Sequence, residues 1–522
     1  MLGGADRQVV CGAAALRDRG GRRAFGRGSL SGVTPGAQCG HGSTSRALRC
    51  ILWEARRGTH DVALVGAQRR DNQAMYVARI RGDLARCLAG AFLAGEWNEQ
   101  ALVHQAGVAL DSRPSWIGPL AREVLDAYHR PPADRPRELS RFIDLMLEAR
   151  LTADDEPSPP EPRRWLMPTP EMGRRRWPVP EIASLRELAG FLELTDGELA
   201  WLADVRGLER AVPAEPLQNY WYGTIARPGR PVRVIERPKH RLKQTQRKIL
   251  HEILDWIPVH AAAHGFVAGR SVRTHAASHS GQFVVIRLDL EDFFSSITAS
   301  RIYGTFRTAG YPEAVAHALT GLSTNVVPAA FWGSLPAPGG FRQIEAHHRL
   351  GRKLATPHLP QGAPTSPALA NLAAFKLDRR LTGLAASLEI NYTRYADDLT
   401  FSGPARLLQL ASTLRRAVTE IARDEGFTIN EHKSTLATRA GRQRVCGIVT
   451  NAHPNVARTE YDALKAILHN SVIHGPATQN RGAVPNFRAH LLGRITWVAA
   501  LNPPRGEKLR SEFDAIVWND QS

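Results

Sequence analysis

Three aspartates stand where carboxylates can bind metal ions. Asp289 ends the run Phe283-Val284-Val285-Ile286-Arg287-Leu288, whose β-branched and apolar residues read as a buried strand. Asp397 and Asp398 lie between Asn391-Tyr392-Thr393-Arg394-Tyr395-Ala396 and Leu399-Thr400-Phe401, so strand-forming residues flank a two-acid tip, as in a short hairpin. An acid at the end of a buried strand reaches a sheet edge that can face a cleft, although Asp is also ordinary turn chemistry. The chain carries its own control: Asp154-Asp155, in a proline-rich stretch, reads as a solvated pair. Asp397-Asp398 is different, because its neighbours prefer burial and the charges then need a cation to offset repulsion and desolvation. Gathered at neighbouring strand ends, Asp289 and Asp397 as main ligands and Asp398 as a secondary one are hard oxygen donors. They suit Mg²⁺, or Mn²⁺ as a substitute, held together with substrate phosphates, and the backbone carbonyl of Leu290 is a further donor. Two such ions about 4 Å apart can activate an attacking hydroxyl and hold a leaving pyrophosphate in an in-line displacement.

Between the acids lies Leu359-Pro360-Gln361-Gly362-Ala363-Pro364-Thr365-Ser366-Pro367. Its prolines and glycine exclude a strand interior. Ser366 suits an N-cap and Pro367 the first helical position, which predicts a helix to about Leu381 with Leu369, Leu372, Leu377 and Leu381 as its apolar stripe. A rigid loop opening a helix can line a nucleotide pocket with its free N–H groups, or serve packing alone.

The remaining chain must position these groups. Residues 1–60 are rich in Gly and Arg, nearly free of acid and without an apolar core of a secretory signal, and are expected to be a disordered basic tail. Residues 61–150 read as helical, 151–180 as a proline-rich extended linker, and 181–282 as a helical lead-in followed by a hairpin around Arg227-Pro228-Gly229-Arg230-Pro231. A basic helix is expected over Leu242–Ile257, carrying Lys243 and Arg247, with mixed strands and helices after it.

With 522 residues, 43% of them hydrophobic, the chain has matter for two or three cored domains, which excludes global disorder and fibrous rods. No run of about 18 apolar residues offers a membrane span. Lys+Arg number 68 against 50 Asp+Glu, a net +18, and a surplus of that size points to a polyanion such as nucleic acid. Five cysteines with no C-x-x-C pair indicate neither a disulfide framework nor a zinc finger, and fit a reducing cytoplasm. No P-loop sequence occurs, so a P-loop motor is not supported.

Leu288-Asp289-Leu290-Glu291-Asp292-Phe293-Phe294-Ser295-Ser296-Ile297, Leu359 to Pro367, and Tyr395-Ala396-Asp397-Asp398, in that order, resemble motifs A, B and C of bacterial reverse transcriptases. The resemblance runs from about Tyr220 to the C-terminus, and His264-Gly265-Phe266-Val267-Ala268-Gly269-Arg270-Ser271 makes it most like the retron and retron-like members. Two elements depart from the retron pattern. The Asn-Ala-x-x-His element reads His275-Ala276-Ala277-Ser278-His279, and Val-Thr-Gly reads Val445-Cys446-Gly447.

The resemblance implies an α+β right-hand polymerase with an antiparallel palm sheet, preceded by a helical N-terminal extension. Fingers would close 181–282, the palm would span 283–455 with a fingers insertion at about 300–360, and a helical thumb would occupy 456–522. Asp289, Asp397 and Asp398 become the catalytic, metal-binding acids. Phe294, beside Phe293, becomes the ring that leaves no room for a ribose 2′-hydroxyl. Gln361 would touch the incoming nucleotide, Arg233 would neutralise its triphosphate, and Lys433 would protonate the leaving pyrophosphate. Lys243, Arg247, His279, Gly447, Arg488 and Arg494 would meet nucleic acid, the thumb pair through sequence-blind phosphate contacts. The implied partners are an RNA template, its DNA product, deoxynucleoside triphosphates and an effector protein, in a retron-like defence against phage. Two rivals carry different expectations: an abortive-infection type enzyme extends DNA without a template, and an inert nucleic-acid-binding scaffold incorporates nothing.

Overall fold

The computed structural model describes residues 75–518, apart from 77, 152–159, 210–216, 228–229 and 337–338. The chain divides into residues 1–76 and residues 77–522. Of the first unit only 75 and 76 are described, so the expected basic tail 1–60 lies outside the described residues, as do Asp154-Asp155 and Pro228-Gly229. Every described element from residue 78 onward belongs to the second unit.

Four helices open it: residues 78–93, Glu99–Leu110, Ile117–Ala127 and Pro136–Leu151. Leu84, Leu88, Phe92, Leu102, Leu120, Leu139 and Ile143 recur at helical spacing and bury one another in a core of their own. Residues 160–180 have neither helix nor strand. Rather than bridging open solvent as a linker would, this segment is docked at several points. The amides of Arg163 and Arg164 both reach the Ala109 carbonyl at 2.9 Å, Leu166 packs on Cys87, Ala91 and Ala109, and the Gly173 amide donates to Gly310 at 2.8 Å. Its prolines keep it extended, and its apolar side chains make that extension a strap.

Two strands come next, β1 (Tyr220–Arg227) and β2 (Arg230–Pro238), paired antiparallel with Thr224 opposite Val234. The basic helix is His240–Glu252, ended by the short turn Leu254–Trp256. A four-stranded antiparallel sheet forms the centre, from β3 (Val284–Leu290), β4 (Asn391–Tyr395), β5 (Asp398–Gly403) and β6 (Ile429–Thr438), in the order β4-β5-β3-β6. Helices Ala299–Thr308, Glu313–Ser323 and Phe341–Leu354 fill the insertion between β3 and the motif-B loop. A two-stranded hairpin, β7 (Arg444–Val445) and β8 (Ile448–Val449), turns at Cys446-Gly447, where both residues have positive φ (46° and 86°). That is the backbone a two-residue hairpin turn needs, and glycine supplies half of it without strain. Three longer helices, Arg458–His474, Phe487–Leu501 and Pro503–Asp514, end the unit around a core containing Leu464, Leu468, Leu491, Ile495, Leu509 and Phe513. No helix among the described residues is long and apolar enough to cross a membrane.

The helix expected to run unbroken from Ser366 to about Leu381 is two helices, Ser366–Ala373 and Phe375–Ser387, meeting at Ala374. Ser366 does not cap it: its hydroxyl donates to the Pro360 carbonyl at 2.7 Å and so closes the motif-B loop on itself. The acidic tip also differs in detail. Ala396 and Asp397 make the turn, with Ala396 at φ 55°, while Asp398 is already in β5.

Pairing across the sheet fixes which side chains share a face. Asp289, Arg287 and Val285 lie opposite Asp398, Thr400 and Ser402, which in turn lie opposite Tyr395, Thr393 and Asn391. Because strand side chains alternate, the intervening Val284, Ile286, Leu288, Leu399 and Phe401 all point to the main core, where each is at most 2% exposed. One face of the sheet is thus mainly hydrocarbon, with the ion pair of Arg394 and Asp378 buried in it, and the other carries acids, hydroxyls and the Arg287 guanidinium.

Candidate active site

The two acid-bearing strands are adjacent and in register, Asp289 against Asp398, which puts their Cα atoms about 5 Å apart. The Leu290 amide donates to the Asp397 carbonyl at 2.8 Å, so the turn is tied to the end of β3. All three acids therefore meet at one sheet end. Burial pushes the carboxyls of Asp289 and Asp397 above the usual aspartate range. Asp397 adds to the shift at Asp289 and Asp398 to that at Asp397, while Lys433 opposes both. Lys433 Nζ lies 2.8 Å from Asp289 Oδ1.

Asp398 is held differently. Arg287, two residues before Asp289 on the same face, sets its Nε 3.1 Å and 3.3 Å from the two carboxylate oxygens and adds a second bond through its terminal nitrogen. Thr400 Oγ1 donates to Oδ1 at 3.3 Å, and the Cys446 thiol lies 3.7 Å from Oδ2. Among the described residues no three His, Cys, Asp or Glu side chains already form a ligand cage. The donor chemistry nonetheless fits a hard dication: half-buried carboxylates at one sheet end repel one another, and two protein cations, Arg287 and Lys433, now balance that charge.

A cavity of about 350 Å³ opens beside Asp397 and Leu290, lined also by Arg233, Phe266, Phe294, Gln361 and Lys433. Four of the expected nucleotide-site residues, Arg233, Phe294, Gln361 and Lys433, thus line the same cavity as Asp397. Phe293, expected with them, borders the cavity but is 4% exposed, and its ring packs on Phe427 with centroids 5.6 Å apart; most of it is core. Phe294 is half-buried, its ring 5.6 Å from Phe293 and 6.2 Å from Phe266. The loop of Gln361 and Gly362 is pinned to β2, since the Glu236 amide donates to the Gln361 carbonyl at 2.9 Å. Gly362 has φ 134°, and a Cβ there would come 2.7 Å from the Glu236 carbonyl, so no other residue fits without displacing β2.

The expected nucleic-acid contacts divide. Lys243 and Arg247 are exposed on the helix His240–Glu252, Gly447 is exposed at the hairpin turn, and Arg488 is exposed with its guanidinium 5.8 Å from the Trp518 ring, while Arg494 is half-buried. None of them lines the cavity. His279 cannot touch nucleic acid: it is 0% exposed and its ring nitrogens bond Ser402 at 2.7 Å and Thr393 at 2.8 Å. Sheet hydroxyls more than 100 positions away claim both nitrogens, a fact local sequence does not carry.

Other residues that hold or border the acids gave little local signal. In the sequence Arg287 is a lone cation in an otherwise apolar run. Arg394 is fully buried, paired to Asp378 through Nε at 2.8 Å and a terminal nitrogen at 2.7 Å, and its remaining nitrogen donates to the Ala396 carbonyl at 3.0 Å, fixing the turn before Asp397. Phe266 is 51% exposed at φ 61°, an outlier for a bulky residue, beside the half-buried Phe294. Its loop lies along β4: the His264 amide donates to Arg394 at 2.7 Å, and a Cβ on Gly265 would come 2.7 Å from the Ala396 amide nitrogen. Gly265→Ala is therefore expected to push the Asp397 turn aside, costing about 1–3 kcal/mol in denaturant titration and cutting activity further.

An antiparallel sheet with acids at its central strand ends, walled by a hairpin and a glycine loop around a nucleotide-sized cavity, defines a right-hand polymerase palm. A family described as reverse transcriptase (RNA-dependent DNA polymerase) matches residues 225–464. The retron Mx65 reverse transcriptase of Myxococcus xanthus is 38% identical over 297 residues, covering 57% of this chain and 65% of that protein. The retron Mx162 enzyme of the same organism is 35% identical, covering 64% and 67%, and the retron Ec86 enzyme of Escherichia coli is 32% identical, covering 46% and 66%. The matched part spans about two thirds of the length of these curated relatives. The chain belongs to the bacterial retron-type reverse transcriptases.

Proposed function

We propose that this protein is an RNA-directed DNA polymerase that copies a structured noncoding RNA from deoxynucleoside triphosphates, in the cytoplasm, as part of a retron-like defence with an effector partner. What supports this most is the joint placement of Asp397, Arg233, Gln361, Phe294 and Lys433 on one cavity at the sheet end. Residues 181–282 are assigned to the fingers, 283–455 to the palm and 456–522 to the thumb.

Asp289, Asp397 and the Leu290 carbonyl would hold two Mg²⁺ ions, which supply Lewis acidity to the attacking 3′-hydroxyl and the leaving pyrophosphate. Asp398, engaged by Arg287 and Thr400, sets the charge and position of its neighbours, and reaches an ion only on leaving Arg287. Arg233 offers a planar fork to triphosphate oxygens. Lys433, now on Asp289, would be free to protonate the leaving pyrophosphate once a cation takes over that carboxylate. Phe294 and Phe266 set the width of the sugar slot.

Given a primed RNA template, the full chain should extend the primer with deoxynucleotides in template order. Homopolymer made without RNA would overturn the templated reading. Sequencing the nucleic acid that copurifies with the protein would name the template. Phe294→Ala should raise ribonucleotide use relative to deoxynucleotides by about 10- to 100-fold, measured as the ratio of kcat/KM values; an unchanged ratio would remove Phe294 as the gate.

A further inference from the structure

The hydroxyl-bearing face of the central sheet is covered by the helix Val272–Ala277 and the turn after it, which bring in His275 and His279. Both histidines are 0% exposed, and every ring nitrogen has a side-chain partner on β4 or β5. The contacts form a continuous line. Ser402 Oγ lies 2.7 Å from His279 Nδ1, and His279 Nε2 lies 2.8 Å from Thr393 Oγ1. Thr393 Oγ1 lies 2.6 Å from His275 Nδ1, and His275 Nε2 lies 3.3 Å from Thr400 Oγ1. Thr400 Oγ1 ends the line on Asp398 Oδ1 at 3.3 Å.

The chemistry of the last member sets the direction of all the others. An ionised carboxylate only accepts, so the Thr400 hydroxyl donates to Asp398. Its one proton spent, Thr400 must accept from His275, which is therefore protonated at Nε2 and bare at Nδ1. Thr393 then donates to His275 Nδ1 and accepts from His279 Nε2–H, which leaves His279 Nδ1 to accept from Ser402. Reversing any one link would place two donors or two acceptors face to face. Burial, foremost, and the neighbouring histidines hold the pKa of His275 at about 2 and that of His279 at about 3, so both rings stay neutral as this pattern requires.

We propose that Ser402, His279, Thr393, His275 and Thr400 form a one-way hydrogen-bond relay that fixes the orientation of the Asp398 carboxylate, with both histidines acting as Nε2–H positioning residues. Arg287 grips both oxygens of Asp398 from one side. The relay supplies a directed bond from the strand itself, so the carboxylate is held from two directions rather than swinging about one cation. The role assigned to Asp398 rests on the polymerase reading; the relay itself is a statement about protons and can be read without any activity.

The test uses the full chain labelled with ¹⁵N at histidine. Long-range nitrogen–proton correlation at neutral pH should show His275 and His279 both neutral with the proton on Nε2. A proton on Nδ1 of either ring, or a charged ring, would overturn the relay whether or not the protein polymerises. Thr400→Val keeps the shape and removes the last donor. It should lower kcat about 10- to 100-fold, with KM for deoxynucleotide within about twofold, lower the denaturation midpoint modestly because the buried His275 Nε2–H loses its acceptor, and shift the His275 Nε2 resonance. Thr400→Ser should restore kcat. Unchanged kcat in Thr400→Val would overturn the positioning role, whereas an inactive parent protein with both rings as stated would sink the polymerase reading and leave the relay standing.

Discussion

Replacing Asp397 with Asn is expected to cut nucleotide incorporation by about three orders of magnitude or more while leaving the denaturation midpoint unchanged or slightly higher. The two halves of that result have one cause. Asp397 is a half-buried carboxyl whose pKa is raised by burial and by Asp398, so its charge costs the folded state energy in the absence of a cation. The amide has nearly the same shape and removes that repulsion. It also removes the hard anionic oxygen beside Arg233 and Gln361, where metal and triphosphate would meet. Primer extension and urea titration on the same preparation check both halves. Residual activity above a few per cent would show that the acids at the cavity are not the chemical centre.

Asp378→Ala should act in the opposite way, through the fold first. Asp378 and Arg394 are both 0% exposed, and Tyr392 adds a hydroxyl donor to Asp378 at 2.9 Å. Losing the carboxylate strands a guanidinium in hydrocarbon, a defect of about 3–5 kcal/mol. The urea midpoint should fall accordingly, and activity should fail with it, because Arg394 also holds the Ala396 carbonyl at 3.0 Å. Replacing Asp378 and Arg394 together with apolar residues of similar volume should recover much of the stability, since no charge is then left unpaired. It should not recover activity, because the turn has lost its tether.

The acids, the glycine loop and the strand before Asp289 were legible because each is a short run whose residue types state its own conformation. What escaped depends on distance. Arg287 and Asp398 are 111 positions apart, and His279 meets Ser402 across 123. A histidine at the end of a short helix reads equally as ligand, surface group or core, and only the strands packed over it decide. The strap at 160–180 shows the same limit: prolines foretold its extension, but the partners Ala109 and Gly310 come from two different layers. The break at Ala374 was invisible because alanine favours helix, and tertiary packing overrode that preference.

The alternation along β3 ties correctness of folding to competence. Were β3 to slip by one residue against β5, Leu288 would stand where Asp289 now faces Asp398, and Arg287 would enter the hydrocarbon side. An off-register chain would be without its chemistry and, for the same reason, unstable and sticky, so degradation of misassembled copies would remove the inactive ones without inspecting the site at all.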